Sequence, residues 1–99
     1  MITVISDIED KILSDPAASV VYVTQKDKMD YLPVIEELAR DYGAFMNIAL
    51  YVIDDVQKSQ SDLKKEFKSS KLPHLRFYPN AKTSDDKRAN SFEIVLPKG

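Results

Sequence analysis

An α/β domain with a mixed sheet layered between helices is what this sequence predicts. Residues 20–23 (Val-Val-Tyr-Val) and 48–53 (Ile-Ala-Leu-Tyr-Val-Ile) are continuous β-branched and aromatic runs, as in strands covered on both faces. Between them Leu32, Ile35, Leu38, Ala39 and Tyr42 recur at spacings of three and four, the stripe of an amphipathic helix. With 99 residues the chain has room for one core, so a single domain spanning 1–99 is expected.

Taken in order, Ile2 and Val4 alternate with Thr3 ahead of Ile5, a short period-two strand. Ser6 and Glu9 have capping-box spacing, which predicts a helix from about Asp7 with Ile8, Ile12 and Leu13 on its apolar face, closed at Asp15-Pro16. The strand over residues 18–24 follows. The next helix carries Pro33 one or two turns in, which predicts a kinked axis, and Gly43 fits its C′ position at positive φ. Asp54 and Asp55 stop the strand at 48–53. A third helix is expected from Ser61 or Asp62 to Ser70, with Leu63 and Phe67 at i,i+4. After Leu72-Pro73 come a strand at residues 74–78, a mobile polar loop over 80–90, and a strand over 91–96. The order is β-α-β-α-β-α-β-β. Strands joined through helices are expected parallel, and a final pair joined by a loop antiparallel.

Composition excludes several kinds of chemistry. With no cysteine there is no disulfide, thiolate metal site, cysteine nucleophile or dithiol redox centre. A formal charge of −2 gives no basic surface for nucleic acid, and no run approaches the ~20 apolar residues of a membrane span. His74 is the sole histidine and no acid pair has the setting of a general acid and base, so no catalytic residue, metal or cofactor is expected. The first residues lack the basic and apolar regions of a leader, so no signal peptide is expected within the chain.

Three segments in this order resemble the thioredoxin fold: residues 19–43 look like the strand, active-site loop and proline-bearing helix, residues 48–55 like the central strand with its acidic turn, and residues 72–80 like the segment holding the family's cis-proline. The resemblance implies a thioredoxin-like three-layer sandwich. Pro33 then corresponds to the proline of the active-site helix and Pro73 to the cis-proline. Counting back from Pro33, the family's Cys-x-x-Cys falls on Gln25, Lys26, Asp27 and Lys28, and its buried acid on Ser19 or, with a short gap, on Val21 or Tyr22. The tryptophan before the first cysteine is also absent. The family's closing helix has no counterpart after Leu96, which leads to the expectation of a fragment of a longer protein with one sheet face partly uncovered.

The candidate peptide-binding residues are therefore Leu72, Pro73 and His74 with Gln25, Lys26, Asp27 and Lys28, where backbone groups beside the proline could take an extended polypeptide by strand addition. The plainer readings are that Pro73 shapes a turn and that Asp27 caps a helix starting at Lys28. The lysines at 58, 64, 65, 68 and 71 and the acids Glu36, Glu37 and Asp41 read as solvated helix faces, and Tyr22, Tyr51 and Phe77 as core. The resulting expectation is a redox-inactive domain, similar to the non-catalytic domains of protein disulfide isomerase relatives, that binds polypeptide or docks neighbouring domains. The alternatives are a glutathione-binding, transferase-type domain and a purely structural module. The resemblance leans towards the endoplasmic reticulum lumen, with the cytoplasm the other compartment, and the sequence carries no retention signal.

Overall fold

In the computed structural model, which describes residues 1–97, five strands form one open mixed sheet in the order β1-β3-β2-β4-β5. The strands are β1 (Thr3–Ile5), β2 (Ser19–Gln25), β3 (Asn47–Ile53), β4 (His74–Tyr78) and β5 (Phe92–Ile94). Three α-helices, α1 (Leu32–Tyr42), α2 (Val56–Phe67) and α3 (Ser84–Ala89), and one π-helical turn (Glu9–Leu13) cover it. The two β-branched runs became the central pair, because a strand with both faces apolar is stable only where both faces are covered. β2 is buried from Ser19 through Thr24.

Each face has its own core. On one side Ile12 and Leu13 of the π-turn and Leu63 and Phe67 of α2 pack on Val21, Val23, Ala49, Ile53 and Tyr78. On the other, Ile35 and Ala39 of α1 pack on Val20, Tyr22, Ile48, Leu50 and Leu75. Each large side chain so buried contributes about 1.5–3 kcal/mol. Leu75 and Phe77 face α1 and Tyr78 faces α2, as the period-two pattern predicts. On the α1 side the β4–β5 edge is thinly covered, with the Phe77 and Phe92 rings 5.5 Å apart and Phe92 about half exposed.

Several expectations need correction. β4 is antiparallel to β2 although a helix joins it to β3. Helix α2 does not carry the chain to the far end of the sheet. Phe67 in its last turn sits on Tyr51 and His74, so it leaves near where it began. It starts at Val56 rather than at Ser61 or Asp62, because Asp55 is an N-cap whose carboxylate accepts the Lys58 N–H at 3.1 Å. No capping box forms at Ser6 and Glu9; Asp7 accepts the Asp10 N–H instead, and the Ser14 N–H reaches the Glu9 carbonyl in a wider π-type loop. Pro33 lies in the first turn of α1, where its missing N–H breaks no helical bond, so the expected kink has no cause. Gly43 has φ −62, and what it supplies is room: a Cβ there would lie 2.4 Å from the Ala39 carbonyl oxygen. The supposed mobile loop at 80–90 contains α3, and the last strand is three residues rather than six.

Candidate functional site

The antiparallel register of β2 with β4 pairs Val23 with His74, which sets Leu72 and Pro73 beside the end of β2 and the turn that follows it. Residues 25–28 and 72–74 thus lie at the same end of the sheet although more than forty positions separate them. The Leu72-Pro73 peptide bond is cis, as the resemblance implied, and both residues are partly exposed.

The turn is held from beneath. The Lys28 N–H donates to the Gln25 carbonyl at 3.0 Å. The Lys28 carbonyl in turn accepts the Thr24 hydroxyl at 2.5 Å and the Tyr22 hydroxyl at 3.3 Å, both from fully buried side chains. Lys26, Asp27 and Lys28 stay exposed. Residues 25–28 form this turn and not a helix start. Helix α1 begins at Leu32 and no side chain caps it, so the cap expected of Asp27 is absent.

His74 lies behind this surface. It is 2% exposed, against the Phe67 ring at 5.3 Å. Neither ring nitrogen makes a hydrogen bond among the described residues, and Nδ1 is 3.6 Å from the Glu93 carboxylate. Burial holds its pKa below the usual histidine value, with the Glu93 charge opposing that shift and Arg76 adding to it. The accessible groups are therefore Leu72, Pro73, Gln25, Lys26, Asp27 and Lys28, with His74 supporting them.

Arg76, buried on the same face, bonds the Ser91 hydroxyl at 2.9 Å, the Ser91 carbonyl at 3.2 Å and the Phe67 carbonyl at 3.3 Å. It ties β4 to the end of α2 and the start of β5. Sequence reading had no signal for it, since an arginine at alternate strand positions reads as solvent-facing.

The chain has no cysteine, so it performs no thiol–disulfide chemistry. Among the described residues no group of three or more histidine, aspartate or glutamate side chains could hold a metal ion, and no helix is long and apolar enough to cross a membrane. No protein-family model matches the chain, and no curated protein matches it either.

Proposed function

We propose that the chain is a redox-inactive thioredoxin-like domain that binds extended polypeptide, or docks a neighbouring domain, at the surface made by Leu72, Pro73 and residues 25–28. The observation that supports this reading is the pairing of Val23 with His74, which puts the two segments at the same end of the sheet. A mixed five-strand sheet in the order β1-β3-β2-β4-β5 is compatible with such a fold. In this reading the main-chain N–H and carbonyl of Leu72 pair with an extended chain, and affinity comes from backbone bonds with little sequence selectivity. A rigid turn held by Tyr22 and Thr24 suits that role, because a surface fixed in advance loses little entropy on binding. Similarity of fold does not determine function, so binding itself is what must be measured. Titration of the isotope-labelled chain with a reduced, alkylated unfolded protein is expected to move the amide signals of Gln25, Lys26, Asp27, Lys28 and Leu72. Unmoved signals at saturating concentration would overturn the proposal.

A further inference from the structure

A concavity is lined by residues other than those of that surface. At the carboxyl ends of β1 and β3, between the π-turn and α2, the fold encloses a cleft of about 530 Å³. That is within the range of side-chain and small-ligand sites. Its floor is apolar, with Ile8, Ile53 and Leu63 buried and the Tyr51 and Phe67 rings edge to face at 6.4 Å.

The walls are charged and unevenly balanced. Arg88 is already committed: it donates to both oxygens of Glu66 at 3.1 Å and to Glu9 at 2.6 Å. These bonds hold its guanidinium protonated well beyond the usual range, with the Glu66 bonds the largest cause. The Asp62 carboxylate makes no hydrogen bond or ion pair among the described residues, and the Asp7 carboxylate accepts only the Asp10 N–H there. The Tyr51 hydroxyl feels this charge, since burial first and then Asp62, Asp7 and Glu66 push its pKa upward. The four lining carboxylates Asp7, Glu9, Asp62 and Glu66 outnumber the lining cations Lys65 and Arg88, and with the partly exposed Tyr51 ring beneath them they suit a cation on an apolar stem, which gains ring contact, charge pairing and methylene burial together.

We infer that this cleft takes an arginine or lysine side chain from a bound polypeptide. The polypeptide source follows from the sheet: β1 is an edge strand that pairs only with β3 among the described residues, and it runs directly into Ser6 and Asp7 at the cleft. An extended chain adding to that edge delivers side chains at the cleft's mouth. The inference does not rest on the Leu72 surface, which shares no residue with the cleft.

Amide-shift titrations of the labelled chain distinguish the outcomes. Blocked acetyl-Ala-Arg-Ala-amide is expected to give saturable shifts at Tyr51, Ser59 and Asp62. The matched norleucine peptide is expected to bind about tenfold more weakly. Asp62→Asn, an exposed change on α2, should weaken the arginine peptide about threefold, and Ser59→Arg, which fills the cleft from within, should abolish its shifts. Absent shifts, equal binding of the norleucine peptide, or an unaffected Asp62→Asn variant would each overturn the inference. n-Butylguanidinium binding as tightly as the peptide would overturn the polypeptide source. Shifts confined to Leu72 and residues 25–28 would sink the cleft while leaving the other surface standing.

Discussion

Lys87 and His74 are both buried ionisable side chains, and their surroundings treat them in opposite ways. Lys87 is fully buried, with its ammonium donating to the carbonyls of Ile12 at 2.6 Å, Asp15 at 2.5 Å and Ala17 at 2.6 Å and touching the Ser19 hydroxyl at 3.3 Å. Its pKa is lowered by burial, with nearby Asp15 opposing the shift. The charge closes the gap between the π-turn and the start of β2, where the Ile12 carbonyl also accepts the Asp15 N–H at 3.3 Å and the Ala17 carbonyl the Ser19 hydroxyl at 3.5 Å. His74 is equally hidden and has no hydrogen-bond partner among the described residues, and burial favours the neutral ring. One buried group is saturated and holds two elements together; the other is a cost that the fold carries beside its candidate binding surface. The difference shows that burial alone says little about a polar group's contribution, and that the partners decide its sign.

The largest effect should come from breaking the saturated site. Lys87→Met keeps the stem and removes the ammonium, leaving the Asp15 carbonyl without a donor among the described residues and the Ile12 and Ala17 carbonyls with the Asp15 N–H and Ser19 hydroxyl in its place, and should cost about 3 kcal/mol in chemical denaturation. A loss under about 1 kcal/mol would mean that the lysine does not tie α3 to the π-turn. At the unsaturated site the sign reverses. His74→Leu removes two unpaired nitrogens and should gain about 1 kcal/mol at neutral pH.

Acid enlarges that gain. Because the folded pKa of His74 lies below its ordinary 6.5, the unfolded chain binds the proton more readily. Stability should therefore hold above that value, begin to fall as pH drops through 6.5, and stop falling below the lowered folded value. The His74→Leu variant should lack this part of the pH dependence, and parallel curves for the two proteins would remove His74 as its source. The smallest effect is expected from Glu93→Gln. The Glu93 carboxylate is half exposed and is the one neighbour that raises the His74 pKa, so its loss should move the histidine titration lower by NMR and cost a few tenths of a kcal/mol at acid pH.

The strands at 19–25, 47–53 and 74–78 and the apolar stripe of α1 were legible because they obey simple periodicities in apolar residues. Helix α3 was not, for the same reason. Ser84-Asp-Asp-Lys-Arg-Ala89 has no apolar face, and what it buries is an ammonium, which a hydrophobic pattern cannot register. The start of α2 was missed because Asp55 was read as the end of a strand rather than as the cap of a helix, two roles that the same residue type fills. At the candidate surface, residue identities were readable, and Pro73 stood out at the head of its strand. The direction of β4 was not, since a helical connection usually means parallel strands. The cleft over Tyr51 left no mark in the sequence, being assembled from residues 6–9, β3, α2 and α3.

The sequence by itself determined the central strands, the amphipathic helix and the exclusion of thiol chemistry, because each follows from residue types that act locally or are simply absent. Tertiary structure alone decided that β4 turns back against β2, that residues 25–28 lie at the same end of the sheet as Leu72 and Pro73, and that among the described residues Lys87 is satisfied while His74 and the Asp62 carboxylate have no hydrogen-bond partner. Those facts depend on which groups from distant segments come within hydrogen-bonding or Coulombic reach. That reach is a few ångströms in space and carries no fixed separation along the chain.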